Sequence, residues 1–171
     1  PDDASLVAAA QQEASAFDAL YRRYVRRVYR YIRSRTSSDL DAEDLTAATF
    51  VEAMTGLERY QEQGYFAAWL FTIARRQVGA HRRRHRDTER LPHDMSGVSP
   101  DPDLRRDVLF ALQSLSDDKR DALSLRFFGE LPIRHVAEIL GKSESATKMA
   151  IHRGLKELRD RLADAPDGAA P

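Results

Sequence analysis

Hydrophobic residues recur at helical spacing along most of the chain. Phe17, Leu20, Tyr21, Tyr24, Val25, Val28, Tyr29 and Ile32 fall three and four apart with arginines between them, which predicts a long amphipathic helix. The stretch SSDLDAEDLTAATFVEAM offers Ser38 or Asp41 as an N-cap, acids in the first turn, and Leu45, Ala48, Phe50, Val51 and Met54 as core candidates of a second helix. After Gly64, the stripe Phe66, Trp69, Leu70, Ile73 and Ala74 predicts a third helix that ends in arginines.

Periodicity is lost from about residue 87 to 103, where LPHDMSGVSPDPD combines prolines, a glycine and acids; this reads as an interdomain linker. Beyond it, VLFALQSL has helical spacing. Ser116 with Asp117 and Asp118 suits the capped start of a helix that Gly129 terminates. Pro132 then suits the first turn of a helix reaching Leu140, Gly141 a left-handed turn, and Ser143 the cap of a last helix to about Leu162. The expected fold class is all-α: two small helical domains joined by a flexible linker. The boundaries are an N-terminal extension over 1–15, a helical bundle over 16–86, a linker over 87–104, a helix-turn-helix domain over 105–162 and a disordered tail over 163–171.

Composition narrows the functional classes. At 171 residues with 42% hydrophobic content, two small cores can be built. There is no run of about 18 apolar residues and no signal-peptide layout at the start, so no membrane insertion and a cytoplasmic location are expected. The chain has no cysteine, which removes disulfides, thiolate zinc sites and cysteine nucleophiles. Formal charge is zero, with 27 basic and 27 acidic residues, so uniform coating of nucleic acid is disfavoured. The distribution is uneven, however: Arg75, Arg76, Arg82, Arg83, Arg84 and Arg86 form a basic patch beside the acidic linker.

The helix, glycine turn and helix of LPIRHVAEILGKSESATKMAIHRGLKEL have the layout in which a second helix enters the DNA major groove, although an ordinary packed hairpin has the same pattern. Ser143, Ser145, Lys148, Met149, His152, Arg153 and Lys156 share or adjoin one face of that last helix, where cations and polar groups suit phosphates and base edges. In the first half, Tyr60 and Tyr65 are candidates for stacking on unpaired bases, and Arg75, Arg76, Arg82, Arg83 and Arg84 for the phosphate backbone, while Trp69 and Ile73 are assigned to packing. His81 and His85 stand four apart, but flanking arginines repel a cation and no cysteine or carboxylate completes a metal set. No phosphate loop, nucleophile elbow or metalloprotease motif is present, so no enzyme activity, cofactor or small-molecule substrate is expected.

Taken together these stretches resemble the bacterial sigma-70 family, specifically its small extracytoplasmic-function (ECF, group IV) members, over roughly residues 16–161. FDALYRRYVRRVYRYI resembles the opening helix of the sigma-two domain, DAEDLTAATFVEA the helix after it, FAAWLFTIARR the promoter-melting segment, and LQSLSDDKRDALSLRFFGELPIRHVAEILGKSESATKMAIHRGLKELRDRL the sigma-four domain. The resemblance implies a transcription initiation subunit that binds core RNA polymerase through Asp41, Glu43, Asp44 and Phe50. It implies minus-ten recognition by the sigma-two domain and minus-thirty-five recognition by the recognition helix. It also implies a linker that threads the RNA-exit side and an anti-sigma factor as partner. Ala47 and Ala48 depart from frequent family residues, so docking is expected to rest more on Asp41, Glu43, Asp44 and Phe50; Arg76, Ala80, Met149 and Ala150 also depart, so promoter preference is expected to differ. A stand-alone helix-turn-helix regulator with an N-terminal helical sensor or dimerisation domain would share the C-terminal motif.

Overall fold

The computed structural model describes residues 1–86 and 101–164. The helices are α1 (Asp3–Gln12), α2 (Phe17–Arg35), α3 (Asp39–Gly56), α4 (Phe66–His85), α5 (Arg106–Gln113), α6 (Asp117–Leu123), α7 (Ile133–Leu140) and α8 (Glu144–Ala163). Local chemistry explains the boundaries. Ser38 Oγ accepts the Asp41 amide at 3.0 Å and Ser143 Oγ the Ala146 amide at 3.0 Å, so both serines cap as the sequence predicts. Gly141 ends α7 at φ 65°, the left-handed conformation that glycine adopts without a Cβ clash. Pro132 stands just outside α7, where its missing N–H is not needed.

In the N-terminal half, α2, α3 and α4 form a bundle around Leu20, Val28, Ile32, Leu45, Phe50, Leu70 and Phe71. The extension at 1–15 holds helix α1, which buries Val7 and Ala10 against this bundle. Its Gln11 Nε2 donates to the carbonyls of Leu57 and Tyr60 at 3.0 and 2.8 Å. In the C-terminal half, Leu112, Leu115, Ala122, Leu123 and Ile151 make a second, smaller core beneath α8.

The two halves pack against one another. Leu125, Leu131 and Val136 from the C-terminal half join the core formed by α2 and α4. A wide π-type turn over Ser124–Phe128 extends α6 toward this joint, and the Gly129 carbonyl at its end accepts Arg27 Nε and Nη2 at 3.1 and 2.6 Å. A Cβ on Gly129 would lie 2.5 Å from the Leu125 carbonyl oxygen and 3.1 Å from the Phe71 ring. Gly129→Ala is therefore expected to destabilise the fold by about 1–3 kcal/mol in denaturant melts, the usual range for overpacking.

The near end of the predicted linker is also held. Asp101 is 7% exposed and accepts from Arg30 Nε and Nη2 at 2.6 and 3.1 Å, while Asp103 pairs with Arg26. These contacts, with Arg30 foremost, hold the Asp101 carboxyl well below the usual range. The remainder of the linker, residues 87–100, and the tail from residue 165 lie outside the described residues.

Candidate nucleic-acid interface and docking face

Helix α8 divides cleanly into two faces. Thr147, Ile151 and Gly154 are buried toward the small core, while Ser143, Ser145, Lys148, Met149, His152, Arg153 and Lys156 are all exposed. Among the described residues none of Lys148, His152, Arg153 and Lys156 makes a salt bridge. The seven predicted residues thus form one solvent strip with unspent positive charge, a surface suited to a groove lined by phosphates.

A second surface lies at the start of α4. A cavity of about 520 Å3 opens between the loop that precedes this helix and α7, walled by Tyr60, Tyr65, Trp69, Thr72 and Ile139. Tyr60 is half-buried: its ring packs edge-on to Phe66 at 5.7 Å and tilted to Trp69 at 4.7 Å. Its hydroxyl is buried, and burial, followed by the charge of Glu62, pushes the phenol up to about 12. Arg59, Gln61, Gln63 and Glu138 complete the lining, so the cavity offers aromatic faces together with polar groups of the kind a planar base meets. Tyr65 is 39% exposed, but its ring meets the His135 edge at 4.7 Å and the Arg134 guanidinium at 5.2 Å, both on α7.

The arginines expected to meet backbone phosphates are only partly available. Arg75 Nε donates to Asp121 Oδ2 at 2.8 Å and Arg82 Nη2 to Asp117 Oδ1 at 2.7 Å, so α6 supplies carboxylates to both. Arg76 pairs with Glu52 on α3. Arg83 and Arg84 are exposed. The C-terminal half therefore covers part of the surface that the sequence assigns to single-stranded DNA.

The predicted docking residues lie on different sides of α3. Glu43 and Asp44 are exposed on α3, but Asp41 turns toward α4, 3.6 Å from His81 Nε2. Phe50, both a core candidate and a docking candidate, takes the core position: it is 5% exposed and packs edge-on against Phe17 at 6.4 Å and Tyr21 at 4.9 Å. Conversely Val51 and Met54, expected in the core, are 60% and 48% exposed, and Leu40 is 67% exposed. The inward phase of α3 is set by Ala42, Leu45, Thr46, Thr49, Phe50 and Ala53. Helical rotation then places Leu40, Ala47, Val51 and Met54 on the outer side, with Glu43 and Asp44 beside them. An apolar row of this kind on an otherwise polar helix face is a candidate docking surface.

Comparison with known proteins identifies the family. The family model for Sigma-70 region 2 matches residues 20–88 and that for Sigma-70, region 4 matches residues 111–160. The chain is 34% identical over 169 residues to the ECF RNA polymerase sigma factor BldN of Streptomyces coelicolor, covering 89% of this chain and 62% of BldN. It is 31% identical over 157 residues to the RNA polymerase sigma factor CarQ of Myxococcus xanthus, covering 87% of this chain and 90% of CarQ. The fold is also that of the sigma factor RpoE of Bartonella quintana, solved with the anti-sigma factor NepR, at a TM-score of 0.71 and 23% identity over 88% of this chain and 98% of that chain.

Proposed function

The chain belongs to the sigma-70 family and within it to the ECF RNA polymerase sigma factors, and on that premise we propose that it binds core RNA polymerase and directs it to promoters. The observation that carries this reading is the exposed strip of α8 on the C-terminal half, with the aromatic cluster of Tyr60, Tyr65 and Trp69 on the N-terminal half as a second surface. One surface fits duplex DNA and the other fits an extruded base, and an initiation factor uses both at once.

In this account Lys148, Met149, His152 and Arg153 read base edges of the minus-thirty-five element, with Ser143, Ser145 and Lys156 nearer phosphates. Tyr60 and Tyr65 hold bases of the opened minus-ten strand, and Arg75, Arg76, Arg82, Arg83 and Arg84 neutralise its backbone. The factor contributes binding energy and no bond chemistry. The outer face of α3, with Leu40, Val51 and Met54 flanked by Glu43 and Asp44, docks on the polymerase.

The packed arrangement of the two halves is a resting form in this reading. Asp117 and Asp121 sit on arginines that phosphates would otherwise occupy, and α7 covers one edge of Tyr65. Polymerase and DNA favour separation of the halves, while an anti-sigma factor, the partner present in the RpoE structure, favours the closed form. Replacing Arg153 by Ala is expected to weaken promoter-dependent transcription by about 1–3 kcal/mol. Unchanged run-off product would remove Arg153 from the DNA-reading set.

A further inference from the structure

Where α2 and α4 end and α6 begins, guanidinium groups crowd the joint between the halves. Arg35 enters from α2, Arg75 and Arg82 from α4, and Arg120 from α6; Asp117 and Asp121 pair with the first three, while Arg120 Nε donates to the Ser34 carbonyl at 2.7 Å. Those carboxylates are already engaged. Asp117 Oδ1 accepts from Arg82, and Asp121 accepts Tyr31 Oη and Arg75 Nε, both at 2.8 Å. Arg35 shares the same two carboxylates at longer range: its side chain is 5% exposed, and its Nη1 and Nε lie 3.6 Å from Asp117 Oδ1 and Asp121 Oδ1, within ion-pair but beyond hydrogen-bond reach. Two carboxylates thus face four guanidinium groups, and positive charge is in excess at the joint.

A space for one exists. Arg35, Arg82, Arg86 and Arg120 line a cleft of about 370 Å3 with the side chains of Thr36 and Ser37, and no acidic residue is among its described lining. Burial, followed by the charges of Arg35 and Arg82, pulls the Arg120 guanidinium down to about 10, as expected where positive charge is in excess. The C-terminal end of α4 gives an anion no dipole assistance here, so any attraction must come from the side chains themselves.

We propose that this cleft is a binding site for a multiply charged phosphate anion, either a free polyphosphate or the phosphate tail of a nucleotide, which bridges the two halves. Planar guanidinium groups meet phosphate oxygens through paired, charge-assisted hydrogen bonds, and the half-buried setting strengthens them. Arg35 and Arg82 belong to one half and Arg120 to the other, so the anion binds the packed arrangement and not the separated one. By mass action it then stabilises the packed form. The cleft shares only Arg82 with the single-strand surface, which needs the halves apart.

The test titrates the full chain with sodium tripolyphosphate, with ATP and with a short single-stranded oligonucleotide at fixed ionic strength, following melting temperature and the radius from X-ray scattering. Saturable binding of tripolyphosphate or ATP, with a raised melting temperature and an unchanged radius, is the expected result; the stronger of the two identifies the source of the phosphate. Arg35→Gln and Arg120→Gln are expected to weaken binding about tenfold or more. Because those residues also pack in the joint, Arg86→Ala at the rim provides a variant that leaves the joint intact, with a smaller loss expected. No saturable binding of either anion, equal affinity in Arg120→Gln and Arg86→Ala, or binding of the oligonucleotide alone with an increased radius would each overturn the proposal.

Discussion

Replacing Asp121 by Asn is expected to loosen the joint between the halves and lower the melting temperature by on the order of 10 °C. Asp121 is 6% exposed and serves three groups from the N-terminal half: Tyr31 Oη at 2.8 Å, Arg75 Nε at 2.8 Å and Arg35 Nε at 3.6 Å. Tyr31 is fully buried, and burial together with the Asp121 charge raises its phenol well above the usual value, so it remains a donor. An asparagine of the same shape keeps one acceptor, turns an amide donor toward the other partner, and removes the charge that faces a buried guanidinium. Removing one member of such a group costs about 3–5 kcal/mol, far more than an exposed ion pair. Asp118→Asn supplies the contrast, because Asp118 is 78% exposed and pairs only with Lys142 at 3.2 Å among the described salt bridges. X-ray scattering is expected to show a larger radius for Asp121→Asn with helical content preserved. Equal melting temperatures for the two variants would show that Asp121 does not hold the joint.

The second large effect is expected at the outer face of α3. Val51→Glu places a carboxylate in the middle of the exposed apolar row while leaving the core, built from Leu45, Thr49, Phe50 and Ala53, untouched. Folding stability should change by about 0.5 kcal/mol or less, as for ordinary surface substitutions. Binding to core RNA polymerase should weaken by about 2–4 kcal/mol, or thirtyfold and more, since an apolar centre of an interface tolerates an unpaired charge poorly. A fluorescence-anisotropy titration of labelled factor with core enzyme measures this. Affinity equal to that of the unchanged chain would move the docking surface elsewhere.

Much of the chain was legible from local chemistry. The caps at Ser38 and Ser143, the left-handed turn at Gly141 and the solvent strip of α8 depend on neighbours within a few residues. The phase of α3 does not. AEDLTAATFVEAM carries apolar residues on every side, so only packing against α2 and α4 decides that Phe50 turns inward and Val51 and Met54 outward. Helix α1 gave little signal because Val7 and Ala10 are its only buried residues. The joint is the extreme case. Asp117 and Asp121 read as ordinary acids near a helix start, yet the residues Asp121 meets lie 90 and 46 positions away in sequence, beyond any periodicity argument. The longer-range ion pairs of Arg35 and the covered edge of Tyr65 follow from the same long-range packing.

The most direct test of the account is run-off transcription by core RNA polymerase, with and without the purified chain, on a pool of upstream regions from its host. The account predicts transcripts with defined starts that depend on the added chain, arise from templates sharing two separated sequence elements, and are lost with Val51→Glu. Transcription no different from that of core enzyme alone would contradict it.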